Sequence, residues 1–115
     1  MTDPKPLLRL LDAWNAEDAK SRLAILEEVT AEGFTYADPH SGPIKTRPEF
    51  MKFLALFRER LPDGEMTGSA EPVMHNGHVL CPFTISRALG PIRHGTFFAD
   101  MDTSGKVTRL VGFLE

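Results

Sequence analysis

The chain has 115 residues, with 13 Lys and Arg against 16 Asp and Glu and a formal net charge of −3. This length fits a single domain over residues 1–115 that can bury a core without disulfide or metal staples. The acidic balance, with no basic run and no apolar run of membrane-spanning length, speaks against nucleic acid and the membrane as partners.

Two helices are predicted in the first third of the chain. Apolar residues at helical spacing place the first over residues 6–16 and the second over residues 19–31. Asp18 is in position to cap the start of the second helix. Gly33 is interpreted as the residue that ends it, because glycine is common just past a last helical turn.

A strand, a loop and a helix in the middle of the chain organise the rest. The strand over residues 34–36 ends at Asp38, which precedes a proline and is therefore biased toward an extended conformation. A loop rich in proline and glycine then enters a third helix, predicted over residues 47–60. Thr46 and Glu49 form a capping box at its start. This order places a carboxylate at the mouth of a strand, between an aromatic strand and an aromatic helix.

From residue 65 onward apolar residues recur with a period of two, which is typical of strands. Four strands are predicted, over residues 65–74, 78–88, 92–101 and 106–114. Asn-Gly and Ser-Gly turns between them are hairpin signals, so the strands should pair antiparallel. The predicted fold is therefore α+β, with three N-terminal helices packed on a strongly curved, mostly antiparallel sheet that leaves a hollow between the layers.

The order of these elements, together with two motifs, resembles the nuclear transport factor 2-like superfamily over essentially the whole chain. The polyketide-cyclase (SnoaL-like) proteins and the ketosteroid isomerases are the branches most similar to it. Ala37-Asp38-Pro39 matches the Glu-Asp-Pro of the isomerases, whose Asp is the general base. Pro82-Phe83, after the Asn76-Gly77 turn, matches a Pro-Phe whose Phe lines the cavity. The resemblance implies a cone-shaped sheet with an internal cavity.

Two departures from the isomerase pattern speak against steroid isomerisation. The isomerases stabilise an enolate with a tyrosine on the first helix and a protonated acid on a late strand. Leu10 and Phe97 occupy those positions here. One good donor to the developing oxyanion is worth about 10²–10³ in rate, so a base without these donors loses much of the catalysis.

Three polar residues are candidates for acid–base chemistry, namely Asp38, His94 and Tyr36. Asp38 is the candidate base, and the alternative is a loop acid that caps backbone N–H groups of the Ser41-Gly42 turn. Tyr36, the only tyrosine, lies on the same side of its strand and can assist. His94 is the second choice for a polar group in the cavity, against an exposed strand position or a satisfied core histidine. His40, two residues further along the loop, could pair with Asp38, but we favour the alternative that it is a solvated loop residue.

The wall of the substrate-binding cavity is predicted to come from apolar side chains of the helices and late strands. These residues are Trp14, Phe53, Phe57, Phe83, Phe97, Met101 and Leu110. Several belong to a stripe at helical spacing, for which ordinary core packing is the alternative.

No metal site and no cofactor are predicted. His75 and His78 would point to opposite faces of a strand or straddle a turn, which does not suit a shared metal ion. The segment 100–105 begins like a calcium loop, but Val111 stands where such a loop requires glutamate. We interpret that segment as a hairpin turn. Cys81 has no possible disulfide partner in the chain, which favours a cytoplasmic protein, and its apolar neighbours indicate a buried hydrophobe.

Both faces of the late strands are substantially apolar. The alternation puts Phe97, Ala99 and Met101 on one face and His94, Thr96, Phe98 and Asp100 on the other. An antiparallel sheet that is half exposed normally has a polar outer face. We therefore expect a homodimer that forms through the outer sheet face, as members of the superfamily commonly do.

Two classes of function follow from these observations. The first is a small cofactor-independent enzyme of the isomerase, cyclase or dehydratase type, in which Asp38 abstracts a proton next to a carbonyl of a hydrophobic small molecule. The second is a non-catalytic domain of the same fold that binds a small ligand or serves dimerisation. A polar group in the pocket favours the first class, and a pocket filled by phenylalanines favours the second.

Overall fold

The computed structural model describes residues 3–115, in which three helices and six strands follow one another. They are α1 (Lys5–Asn15), α2 (Ala19–Val29), β1 (Thr30–Ala37), α3 (Arg47–Arg60), β2 (Glu65–Gly68), β3 (Val73–His75), β4 (His78–Arg87), β5 (Gly90–Met101) and β6 (Val107–Leu114). The predicted α+β class is confirmed, with α1 and α2 before the sheet and α3 between β1 and β2. Within this part of the chain, no helix combines the length and the apolar character that crossing a membrane requires.

Local hydrogen bonds start α2 and α3 where the sequence predicts them. The Asp18 carboxylate accepts the N–H of Ser21 at 2.7 Å. The Thr46 hydroxyl oxygen accepts the N–H of Glu49 at 3.2 Å, and the Glu49 carboxylate accepts the N–H of Lys45 at 3.2 Å. These bonds satisfy backbone donors that the first turn of a helix leaves unpaired. Both predicted caps are confirmed.

Gly33 has a different role from the predicted one. The helix α2 ends at Val29 and β1 follows directly, so Gly33 lies inside the strand with a φ of 79°. The pairing of β1 with β6 shifts register in this segment, between Thr30 and Thr35. The prediction was wrong because a glycine in the left-handed region serves a β-bulge as well as the end of a helix.

The strands form one sheet in the order β1-β6-β5-β4-β2, and β3 also pairs with β4. β1 and β6 run parallel, and the other neighbours run antiparallel. The single strand predicted over residues 65–74 is wrong, because β2 and β3 are separate pieces that pair with opposite halves of β4. Pro72 stands just before β3, where a residue without an N–H cannot continue the ladder.

Aromatic side chains join the helices to the inner face of the sheet. The Trp14 ring of α1 lies 5.6 Å from the Phe50 ring and 5.4 Å from the Phe97 ring, between centroids. Phe83 stacks on Phe97 with centroids 4.2 Å apart. The stack depends on Gly95, because a Cβ at that position would collide with the Phe83 ring.

The outer face of the sheet carries apolar side chains that the helices do not cover. The alternation predicted for β5 is confirmed, since Phe97, Ala99 and Met101 are buried and the residues between them are not. Leu80 and Phe113, on the outward side of β4 and β6, are 49% and 58% exposed. The sheet therefore presents apolar area on both sides, as the sequence indicates.

Candidate functional site

A partly enclosed chamber of about 170 Å³ lies between the helices and the inner face of the sheet. Helices α1 and α3, the loop after β1, and strands β1, β2, β4, β5 and β6 all contribute to its wall. The lining residues are Trp14, Tyr36, Asp38, His40, Phe53, Phe57, Met66, Phe83, Ile85, Phe97, Gly112 and Leu114. The wall is apolar except where β1 ends, and there Tyr36, Asp38 and His40 supply polar atoms.

Asp38 follows the last residue of β1 and is held by hydrogen bonds from three directions. Its Oδ1 accepts the backbone N–H groups of His40 and Ser41, both at 2.7 Å. Its Oδ2 accepts the hydroxyl of Tyr36 at 2.6 Å. A carboxylate oxygen offers about two acceptor positions, so Oδ1 is fully used by the turn. Oδ2 is the oxygen that retains an acceptor position for another group.

Tyr36 is buried between the helix α3 and the sheet, with its ring centroid 4.9 Å from that of Phe50 and 5.0 Å from that of Phe53. Burial, and then the charge and hydrogen bond of Asp38, raise the pKa of the Tyr36 hydroxyl well above its usual value. The phenol therefore stays protonated at physiological pH. It is a permanent hydrogen-bond donor beside the carboxylate.

Gly112 allows β6 to pass close to the carboxylate. A Cβ at this position would lie 3.1 Å from Cε1 of Phe97 and 3.3 Å from Cβ of Asp38. Such contacts are tighter than ordinary van der Waals packing, so a larger residue would push one of these two side chains. The glycine thus helps to fix the position of Asp38 in the wall.

Five residues predicted for the wall are found there: Trp14, Phe53, Phe57, Phe83 and Phe97. The predicted candidates Asp38 and Tyr36 also reach the chamber, where they contact each other. The alternative role of Asp38, the capping of its own turn, is present as well. The Asp38 carboxylate therefore holds its own turn through Oδ1, while the side chain as a whole lines the chamber.

His94 is not part of the chamber. It lies opposite Thr84 in the β4–β5 pairing, and its Nδ1 is 3.1 Å from the Thr84 hydroxyl oxygen on the outer face of the sheet. Its neighbour Gly95 lies opposite Phe83, whose side chain faces the chamber. Because side chains alternate along a strand, His94 must point outward.

Met101 and Leu110 also lie outside the chamber wall. Both are buried on the inner side of the sheet, in the hydrophobic core that extends beyond the chamber. The alternation correctly predicts that both side chains point to the inner side of the sheet. Along their strands, however, they lie beyond the end of the chamber. How far a cavity extends along a strand depends on the helices above it, which the strand sequence does not specify.

The wall includes five residues that were not predicted for it: His40, Met66, Ile85, Gly112 and Leu114. Ile85 and Leu114 share the inward side of their strands with predicted residues, so the alternation could have found them. Gly112 shares that inward side too, between Leu110 and Leu114, although a glycine has no apolar side chain to mark it. The place of His40 follows from the turn after β1.

An open groove of about 680 Å³ lies on the other side of Phe53, Phe57 and His40, which line both spaces. One face of α3 forms its floor with residues at helical spacing, and Lys52 and Arg60 bring positive charge to it. These shared side chains form the boundary between the chamber and the groove.

The other chemical candidates are structural within the described residues. No group of three or more His, Cys, Asp or Glu side chains there could hold a metal ion. Asp102 accepts hydrogen bonds from the N–H groups of Ser104 and Lys106, which confirms the predicted hairpin turn. Cys81 is buried, and burial raises the pKa of its thiol to about 11. The thiol stays protonated and is not a nucleophile.

Solved structures with low sequence identity share this architecture. A candidate isomerase of the SnoaL-like family from Agrobacterium tumefaciens has a TM-score of 0.88 at 22% identity, over 96% of this chain and 95% of that one. A candidate SnoaL-like polyketide cyclase from Jannaschia sp. CCS1 has a TM-score of 0.79 at 16% identity, over 96% and 83%. A protein with a ketosteroid isomerase-like fold from Catenulispora acidiphila, in complex with trimethylamine, has a TM-score of 0.75 at 14% identity, over 96% and 85%.

Neither the protein-family models nor the curated proteins give a match to the chain. Similarity of structure at such low identity establishes a fold, while an activity has to be argued from the site itself. The chain has the nuclear transport factor 2-like fold that its sequence predicts, in the form found in SnoaL-like and ketosteroid isomerase-like proteins.

Proposed function

We propose that this protein is a small cofactor-independent enzyme of the isomerase or cyclase type. It removes a proton next to a carbonyl group of a hydrophobic small molecule in the chamber. The observation that carries the proposal is the pair formed by Asp38 Oδ2 and the Tyr36 hydroxyl, 2.6 Å apart at the edge of an apolar cavity. A carboxylate and a neutral donor side by side in an apolar site are what enolisation needs. Two proteins of the same fold are described as a candidate isomerase and a candidate cyclase.

Each group has a separate role in the proposed reaction. Asp38 Oδ2 takes the proton, so the C–H bond breaks, an O–H bond forms, and the electron pair moves onto the carbonyl oxygen to give an enolate. The new O–H of Asp38 then donates to the Tyr36 oxygen, which frees the Tyr36 O–H to donate to the enolate. Return of the proton to a different carbon gives an isomer. Alternatively, the enolate carbon attacks a second carbonyl of the same molecule to close a ring, and the alkoxide that forms takes the proton back from Asp38.

The first experiment measures exchange of the α-protons of a small cyclic ketone for deuterium, by NMR, in the wild type and in Asp38→Asn. Asparagine keeps an oxygen acceptor for the His40 and Ser41 N–H groups, so the turn is preserved, but it cannot act as a base. We expect exchange to fall by at least about 10²-fold, the usual contribution of a general base. The matched control is Asp12→Asn, an exposed carboxylate on α1 that should change nothing. Equal exchange in the wild type and Asp38→Asn would contradict the proposal.

The second candidate function is binding without catalysis. Its support is that Phe53, Phe57, Phe83 and Phe97 all line the chamber, and that Asp38 already serves the turn. A binding protein would show ligand-dependent stabilisation that Asp38→Asn leaves intact, and no exchange above the solvent background. The exchange assay therefore separates the two functions.

We also infer that the protein works in a reducing compartment such as the cytoplasm. Cys81 is the only cysteine of the sequence and is buried as a protonated thiol. A chain without disulfides is typical of such compartments. Fractionation of cells that express a tagged chain tests this, and recovery of the protein outside the cytoplasmic fraction would contradict it.

A further inference from the structure

We propose that the substrate has two parts: a single six-membered ring that carries the reacting carbonyl, and an anionic side chain that leaves the ring through the boundary of the chamber and pairs with Lys52 or Arg60 in the outer groove. The position of the carbonyl rests on the proposed function. The anion and the ring size rest on the shape and charge of the two spaces.

The volume of the chamber sets the size of the ring system. The cavity measures about 170 Å³, and an apolar cavity of about 150 Å³ in another protein binds one benzene molecule. The chamber therefore has room for one six-membered ring and not for a fused tetracycle such as a steroid. This agrees with the absence of the two enolate donors of the steroid isomerases at Leu10 and Phe97.

The outer groove gives the rest of the molecule a place. It is about four times larger than the chamber, at about 680 Å³ against about 170 Å³. His40, Phe53 and Phe57 line both spaces, so a substituent on the ring reaches the groove by passing between these side chains. The groove floor beyond them includes Leu56, which is 45% exposed and can cover an alkyl linker.

The charge of the groove selects an anion. Among the described residues, Lys52 and Arg60 take part in no ion pair. Glu49, the one acid of the groove wall, accepts hydrogen bonds from the Lys45 N–H at 3.2 Å and the Thr46 hydroxyl at 3.0 Å. Both bonds are accepted by Oε1 at the start of α3, and the two cations outnumber this single carboxylate in the groove. The two cations remain available for a ligand.

Lys52 and Arg60 lie eight positions apart on α3, which corresponds to about 12 Å along a helix. The shared residues Phe53 and Phe57 lie between them in sequence. An anionic chain that leaves the chamber at this boundary can therefore reach one cation or the other, depending on its direction. Each exposed ion pair between the ligand and one of these cations contributes only a few-fold in affinity. The test therefore removes both cations together.

The experiment compares two neutral-ring probes that differ only in the charge of the side chain: a phenol with a para propanoate chain and the corresponding propanamide. The phenol ring fits the chamber and resembles an enol. Dissociation constants are measured by titration calorimetry at low ionic strength for the wild type and for Lys52→Gln/Arg60→Gln. The matched control, Lys20→Gln/Arg93→Gln, removes the same two charge types at exposed positions outside the groove.

We expect the wild type and the control to bind the propanoate about five-fold or more tightly than the propanamide, with a preference that weakens as salt is added. Lys52→Gln/Arg60→Gln should lose this preference and keep its affinity for the propanamide. Equal binding of the two probes by the wild type would overturn the inference, and so would an equal loss of preference in the control. Failure to bind either probe would also overturn it.

The exchange assay keeps this inference separate from the proposed function. A propanoate preference without exchange that depends on Asp38 would support the two-part ligand and contradict the enzyme. Exchange that depends on Asp38, with no preference for the propanoate, would support the enzyme and overturn the anionic side chain.

Discussion

Asp38 serves a turn and a cavity with different oxygens. Oδ1 holds the N–H groups of His40 and Ser41, so the loop after β1 is built around this carboxylate. Oδ2 is bound to Tyr36, and Gly112 leaves the space in which the Asp38 side chain lies. The hydrogen bonds of the turn to Oδ1 therefore also fix the orientation of the carboxylate, and with it the position of Oδ2 beside Tyr36.

The titration of the Tyr36 hydroxyl can be observed directly, because the chain has one tyrosine. Burial and then Asp38 raise its pKa above the usual 10.0. A group whose pKa is raised in the folded state contributes stability that is complete below the unfolded pKa and is lost as the pH rises toward the folded pKa. We expect the protein to lose stability above pH 10.0. The absorbance of tyrosinate should rise together with the change in Trp14 fluorescence that reports unfolding.

Tyr36→Phe is the control for this titration. It should lack the absorbance change, and its unfolding should no longer be driven by this group. Complete formation of tyrosinate near pH 10 in a protein that keeps native Trp14 fluorescence would contradict the prediction.

Helix α3 connects the local signals of the sequence with the site. Thr46 caps its start, Arg58 hydrogen-bonds the carbonyl oxygens of Leu61 and Gly64 near its end, and its body supplies Phe53 and Phe57 to the chamber. The same helix carries the cations of the groove. Anything that loosens its first turn should therefore affect both stability and the boundary between the two spaces.

Thr46→Ala tests the role of the cap. It leaves the Glu49 N–H without its side-chain acceptor, and loss of such a cap costs about 1 kcal/mol in the free energy of unfolding. Thr46→Ser keeps a hydroxyl at the same position and should be close to the wild type. Urea unfolding measures the difference through the transition midpoint. Equal midpoints for Thr46→Ala and Thr46→Ser would show that the cap contributes nothing.

The whole molecule leaves an apolar surface on the outer side of the sheet. Val73, Leu80 and Phe113 are 65%, 49% and 58% exposed there. Asp100 stands beside them and binds Arg109 and His78, so that part of the face is polar and already satisfied. Exposed apolar area on a regular sheet is typical of an interface. We propose that a second copy of the chain covers it, to give a homodimer.

Sedimentation velocity tests the homodimer, because the mass of one chain is 12.8 kDa. We expect the wild type to sediment as a dimer at micromolar concentration, and Phe113→Glu to sediment as a monomer, since a buried unpaired charge is costly. Leu89→Glu is the matched control, at a fully exposed leucine in the β4–β5 turn. A monomeric wild type, or an equal effect of both substitutions, would contradict the proposal.

The sequence by itself determined what depends on neighbours within one or two turns of chain. The caps at Asp18 and Thr46 use donors three residues away, and the inward direction of Phe83 and Phe97 follows from alternation along one strand. The order of helices and strands was sufficient to indicate the nuclear transport factor 2-like fold. The pairing of Asp38 with Tyr36 was also within reach, since two residues on one side of a strand lie close together.

The tertiary structure decided everything that depends on which distant segments meet. It made Gly33 a bulge and divided the predicted strand over residues 65–74. It also brought Asp38 next to Gly112 of β6, which lies more than seventy residues further along the chain. Register and closure are set by long-range packing, and a shift of one residue reverses the face of every side chain in a strand. Local patterns cannot carry that information, so how far the chamber extends along each strand was decided only in three dimensions.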